Sequence, residues 1–137
     1  MKYLMILTLG LSSLLLLSFM VPQERSTKPW DIPAEYMKMK NPQAPDDAAM
    51  INLGKTAYAK HCRSCHGNMG LGDGPKAKQL ETHPGDFSSA EFHALKDGDM
   101  YYRSFIGRDE MPNYESKIPD EEERWAIITY MRATFKK

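Results

Sequence analysis

The sequence predicts a small all-α domain. Three observations carry this: no alternation of apolar and polar residues is sustained long enough to mark a strand, apolar positions recur at helical spacing at both ends of the stretch 46–137, and the middle is glycine-rich with room only for short helices.

In chain order, residues 1–21 come first and stand outside that domain as a targeting segment. Met1-Lys2 is a minimal positive start, and no further charge follows until Glu24, across a leucine-rich run that includes residues 14–17. The segment reads as an export signal peptide. The alternative is an uncleaved membrane anchor, because no clean small-x-small cleavage site is present and the run approaches the roughly 20 residues that span a bilayer. No cysteine ends the run, so a lipid-anchored N-terminus is not indicated.

Residues 22–45 form a Pro-rich extension. Pro22, Pro29, Pro33, Pro42 and Pro45 block regular structure and favour extended chain. Trp30, Ile32, Tyr36, Met37 and Met39 are apolar enough to dock, either on the chain's own domain or on a partner subunit.

The domain proper is expected over 46–137. Asp46-Asp47 are good N-cap residues for a first helix, with Met50, Leu53, Gly54, Ala57 and Tyr58 as its apolar or small positions. Beyond it, residues 67–75 hold four glycines and carry the chain away as a loop. Ser88-x-x-Glu91 has the form of a capping box for a short helix through Phe92 and Leu95, which Asp97-Gly98 ends. A further helix is expected over 99–106. The last one opens at Pro119, with acidic residues at 120–123 in its first turn and Arg132, Lys136 and Lys137 at its end, charges that suit the helix dipole. Its buried face should include Ile127, Tyr130 and Met131, and Gly54 would let Tyr130 lie close against the first helix.

The chemistry is concentrated in Cys62-Arg63-Ser64-Cys65-His66. Two cysteines at that spacing, followed at once by histidine, match the c-type haem attachment pattern. Each thiol can add to one vinyl group on the same porphyrin edge while the adjoining imidazole sits beneath the iron. A thioredoxin-like dithiol needs a βαβ context that is missing, and a zinc site needs four ligands where the chain has two cysteines and His83 and His93 without finger-like spacing. A buried macrocycle also supplies the apolar centre that so short a chain struggles to build alone.

A low-spin electron carrier needs a sixth iron ligand, commonly a thioether or a second imidazole. Of ten methionines, Met69 stands only three residues beyond His66, and Met100 falls in a helical stretch where methionine is more often core filling. Met111 fits best: it follows the Gly107-Arg108-Asp109-Glu110 turn and precedes Pro112, which leaves an irregular loop able to present sulfur. His83, His93, Met100 and an open iron site are the alternatives.

Taken in order, the helix with Gly54 and Tyr58, the box from Cys62 through His66, Gly70-x-Gly72-Asp73-Gly74-Pro75, Met111-Pro112 and the final helix with Glu123-Arg124-Trp125 and Tyr130 resemble the mono-haem class I c-type cytochromes. The resemblance implies an all-α fold whose N- and C-terminal helices pack together around one covalently bound haem c. It implies Cys62 and Cys65 as thioether anchors, His66 and Met111 as the axial iron ligands, and Pro75 as the residue whose carbonyl accepts from the other ring nitrogen of His66. The charged Arg108-Asp109-Glu110 turn departs from the pattern. Trp30-x-Ile32-Pro33 and Lys40-Asn41-Pro42 also resemble extensions on small cytochrome subunits of bacterial respiratory complexes.

The function so implied is electron transfer, not enzymatic catalysis, in an exported respiratory chain on the periplasmic side of the inner membrane. The protein is expected to be either soluble or N-terminally anchored. The alternatives are a small haem subunit of a membrane respiratory complex, and a haem enzyme or sensor with an open iron site. Redox proteins are the expected partners. Nucleic acid is not, since stretch 46–137 carries 13 Lys and Arg against 15 Asp and Glu, a net of −2. Lys55, Lys60, Arg63, Lys76 and Lys78 could form a docking patch for an acidic partner.

Overall fold

A computed structural model describes residues 28–136, so the targeting segment expected at 1–21 lies outside the described residues. These residues form six α-helices and no strand. In order they are α1 (Ala34–Met37), α2 (Ala48–His61), α3 (Arg63–His66), α4 (Ala90–Ala94), α5 (Asp97–Tyr101) and α6 (Glu121–Thr134). A 3-10 turn, Ala77–Gln79, follows α3, and a π-helical turn, Tyr102–Ile106, continues α5.

The two long helices begin where side-chain caps allow. Asp47 Oδ1 accepts from the backbone N–H groups of Ala49 and Met50 at 2.9 and 3.1 Å, and Asp120 Oδ1 accepts from Glu122 N at 2.8 Å. Glu121, Glu122 and Glu123 then fill the first turn of α6, where the helix dipole favours negative charge. The helices pack on each other more extensively than any other pair of elements. Gly54 is the reason they can: an ideal Cβ there would lie 2.0 Å from the Ala126 carbonyl oxygen and 2.8 Å from Tyr130 Cβ.

That close approach also decides which way α2 turns. Gly54, Ala57 and Tyr58 are buried, whereas Leu53, expected in the core, is 37 % exposed. With the glycine facing α6, its neighbour is rotated by roughly 100° toward the edge of the interface. Helix α6 differs from expectation in the opposite sense. Every residue from 124 to 131 is buried, not one face alone. Such a helix is enclosed by other elements on all sides. Here α2 covers one side, Tyr101 packs on Trp125 with ring centroids 4.7 Å apart on another, and Asn41 of the N-terminal extension reaches Thr129.

Two boundaries move by a residue or more. Ser89, not Ser88, caps α4, its Oγ accepting from Phe92 N, while Ser88 instead bonds Asp86. Asp97-Gly98 opens α5 and does not close α4, because the chain is already extended at Leu95 and Lys96. Gly98 is required there, since a Cβ would lie 1.6 Å from the Tyr36 carbonyl oxygen.

The extension docks on its own chain. Tyr36 lies against Tyr101 and Tyr102, with centroid separations of 6.3 and 4.8 Å. Asn41 donates through its backbone N–H to Asp97 Oδ2 at 3.1 Å and through Nδ2 to Thr129 Oγ1 at 2.9 Å. Deleting residues 28–42 is therefore expected to cost at least about 2 kcal/mol, taking each aromatic pair as 0.5–1.5 and each net hydrogen bond as about 1 kcal/mol. Thermal unfolding of the truncated protein checks this, and an unchanged midpoint would contradict it.

Candidate functional site

The Cys62–His66 box folds as the single turn α3, continuous with the end of α2. The N–H groups of Cys65 and His66 both bond the Cys62 carbonyl, at 3.2 and 3.0 Å, and Gly67 N bonds the Arg63 carbonyl at 2.9 Å. Gly67, at φ +83°, ends the turn in a conformation that side chains rarely adopt. The glycine-rich stretch 67–75 does not lead away from the box but wraps back over it. Amide groups of Gly72, Gly74 and Lys76 satisfy the carbonyls of His66, Cys65 and Ser64 at 2.9, 3.1 and 2.9 Å. These are the carbonyls that a helix end leaves without partners. A side chain at Gly74 would collide with the Ser64 carbonyl at 2.5 Å, so this approach needs glycine.

Tyr58 fixes the turn from beneath. Its hydroxyl donates to the Gly67 carbonyl at 2.9 Å in a buried bond, and burial raises its pKa above the usual phenol range. Tyr58→Phe would strand a buried carbonyl, with an expected cost of about 1–3 kcal/mol in thermal or denaturant unfolding.

The His66 side chain is buried, 8 % exposed, and its ring stacks on Phe87 with centroids 4.5 Å apart. Burial drives its pKa down to about 4, opposed by the nearby Pro84 backbone and aided by His83. The imidazole is thus neutral at pH 7, the form that ligates a metal. Its Nδ1 has no hydrogen-bond partner. No bond joins it to the Pro75 carbonyl that the resemblance places there. The amides of Gly74 and Lys76, on either side of Pro75, bond the Cys65 and Ser64 carbonyls, and the Pro84 backbone lies near the imidazole.

Cys62 and Cys65 form no disulfide, and both are partly exposed. Burial, with Cys65 adding to it, pushes the Cys62 thiol up to about 12. A redox dithiol wants the reverse, a lowered pKa that exposes thiolate.

Met111 is half-buried on a tight hairpin turn. Its N–H bonds the Arg108 carbonyl at 2.8 Å, and the two residues form an isolated antiparallel bridge. Gly107 at φ +70° and Asp109 at φ +49° shape the turn, and a Cβ at Gly107 would meet the Met111 carbonyl at 2.1 Å. Tyr114, three residues on, joins this loop to the box. Its hydroxyl donates to the His61 carbonyl at 3.1 Å, and its pKa is raised by burial and by both cysteines. Among the alternative ligands, Met100 is core, 1 % exposed, and Met69 is 58 % exposed. His83 Nδ1 accepts from Gly85 N, while His93 Nε2 is buried without a partner.

Phe87, Pro84 and Tyr114 were not singled out from the sequence. Phe87 is placed by a long-range bond of its N–H to the Gly70 carbonyl at 2.7 Å, which no local pattern announces. Tyr114 alone carried a signal, as an aromatic residue close behind the Met111-Pro112 pair.

The donor set fits haem c. Two thiols lie on one turn beside a buried neutral imidazole whose Nδ1 lacks a partner, and a buried polar atom of that kind calls for an occupant or a neighbour to satisfy it. Among the described residues no group of three or more His, Cys, Asp and Glu side chains could hold a bare metal ion. None of the curated proteins compared with the chain matches it. The family model described as Cytochrome c matches residues 51–135, more than half of the chain. That match takes in most of α2, all of α6, the box and the hairpin, and so the chain belongs to the cytochrome c family, whose covalent haem c it carries at Cys62, Cys65 and His66.

Proposed function

We propose that the protein is a single-electron carrier in an exported respiratory chain, with His66 and Met111 as the two axial ligands. The observation that carries the reading is the joining of the two halves of the site through Tyr114, which follows Met111 by three residues and donates to the His61 carbonyl at the end of the helix that leads into the box. When bound, the haem supplies a one-electron couple between ferric and ferrous iron. The protein's part is to hold it. Cys62 and Cys65 anchor it, His66 stands neutral at one face, and the hairpin offers a thioether from another segment of the chain. With an imidazole and a thioether both bound to the iron, no position would be left for substrate, which separates a carrier from an enzyme or gas sensor. A sulfur ligand and a buried macrocycle both raise the potential relative to an exposed bis-imidazole site.

Location on the periplasmic side rests on residues 1–21, as signal peptide or anchor. Among the described residues no helix is long and apolar enough to cross a membrane. The extension's aromatic residues pack within the chain, and so they lend no support to a role as subunit of a larger complex.

The test is carbon monoxide added to the reduced full-length protein at neutral pH. No spectral change is expected, and ready binding would overturn the closed six-coordinate site. A second expectation concerns charge. Lys55, Lys60, Arg63, Lys76 and Lys78 are all exposed, and none is in an ion pair among the described residues. Oxidation by the anion ferricyanide should slow several-fold at low salt in a Lys60→Glu, Lys76→Glu variant, and the difference should fade as salt screens it. Equal rates at low salt would remove the patch from the account.

A further inference from the structure

The turn that precedes Met111 is charged at three consecutive positions, and the structure shows what two of those charges hold. The Arg108 guanidinium lies over the Trp30 ring, 4.0 Å from its centroid. It donates to the Pro29 carbonyl at 2.7 Å and also to that of Lys28. All three contacts are with the N-terminal extension. The extension is itself fixed to the domain at a separate place, through Tyr36 on Tyr101 and Tyr102 and through Asn41 on Asp97 and Thr129. Glu110 is held by a different segment. Its two carboxylate oxygens accept from Glu81 N at 3.0 Å and Thr82 N at 2.8 Å.

Met111 is therefore next to one tether and three residues from the other, and the two pull on opposite ends of a turn whose shape Gly107 and Asp109 already set. Exposed charge pairs contribute little to global stability. Their effect on a local opening is another matter, because a surface hairpin held by few apolar contacts opens at far lower free energy than the whole domain. The thioether is a weak ligand, so such an opening would release it first.

We propose that Arg108, seated on Trp30, and Glu110, clasping the amides of Glu81 and Thr82, are positioning residues that keep the Met111 hairpin closed over the sixth coordination position. The extension thereby acts as a strap on the ligand loop. This rests on Met111 being the axial ligand.

The experiment uses matured full-length protein with five variants, Arg108→Ala, Glu110→Gln, Trp30→Phe, Trp30→Ala and Met111→Ala, and two readouts: the weak sulfur-to-iron band in the ferric spectrum, and the rate of carbon monoxide binding to the ferrous form. In Arg108→Ala the band should persist but disappear at lower temperature and lower pH than in the wild type. Its carbon monoxide rate should rise by roughly tenfold or more, as expected when a cation–π contact and two charge-assisted bonds are lost. Glu110→Gln, an isosteric change on the exposed surface, should move both readouts in the same direction by a smaller factor. Trp30→Phe, which keeps a ring beneath the guanidinium, should lie nearer the wild type than Trp30→Ala. Wild-type band stability and carbon monoxide rates in both Arg108→Ala and Glu110→Gln would overturn the proposal. Should Arg108→Ala fail to fold, a wild-type rate in Glu110→Gln overturns it alone. A band that survives in Met111→Ala would instead show that the ligand assignment is wrong, and the strap proposal would fall with it.

Discussion

Met111→Ala is expected to keep its haem, lose the sulfur-to-iron band, fall in midpoint potential and bind carbon monoxide when reduced. Attachment should survive because it depends on Cys62 and Cys65, which sit on a turn fixed by backbone bonds from Gly72, Gly74 and Lys76 and not by the hairpin. The hairpin should still form, since Gly107, Asp109 and the Met111 N–H bond to Arg108 shape it through backbone alone. The potential should fall because a thioether favours the ferrous state more than water or a second nitrogen does. The strongest competitor is His93, whose Nε2 is buried without a hydrogen-bond partner. His93→Ala should accordingly leave the band and the potential unchanged. An unaltered spectrum in Met111→Ala would take the ligand role from Met111, and a wild type that lacks the sulfur-to-iron band and changes its spectrum in His93→Ala would transfer it to His93.

The second large effect lies far from the iron. Gly54→Val is expected to destabilise the holoprotein by about 3 kcal/mol or more, at the upper end of overpacking costs. The reason is that the new side chain would meet backbone and not a flexible tip. Its Cβ would fall 2.0 Å from the Ala126 carbonyl oxygen and 2.5 Å from the carbonyl carbon. Neither atom can yield without moving α6, and α6 is buried through residues 124–131. Against a total stability of about 5–15 kcal/mol, such a loss removes a large share. Thermal unfolding should show a fall of more than about 10 °C, given 4–8 °C per kcal/mol in a domain of this size. A shift of a degree or two would mean that the helices do not cross here as described.

What the sequence disclosed and what it withheld divide along physical lines. Asp47 acts as a cap where it was expected, because capping is decided within three residues, whereas Asp120, expected inside the first turn of a helix opening at Pro119, is itself the cap of a helix that starts at Glu121. Gly54 pointed to a close helix crossing, because only glycine leaves room for backbone there. The box itself was legible because two thiols and an imidazole at fixed spacing form one helical turn whatever surrounds them. Leu53 was placed in the core and is exposed, since the rotation of α2 is set by its partner helix and not by its own apolar pattern. Phe87 against His66, the Pro84 backbone at the imidazole and the Arg108 seat on Trp30 were all hidden. Each joins segments far apart in the chain, and nothing local in either segment records the meeting.

The central claim is that Cys62 and Cys65 carry one haem c through thioether bonds and that the protein passes electrons with it. Intact mass of the matured protein, read together with a reduced-minus-oxidised spectrum on the same sample, tests it most directly. The account predicts a mass one haem greater than the polypeptide, retained through denaturation, with the sharp reduced bands of a six-coordinate c-type haem, and neither in a Cys62→Ala, Cys65→Ala variant. A mature chain at the bare polypeptide mass, without pigment, would contradict it.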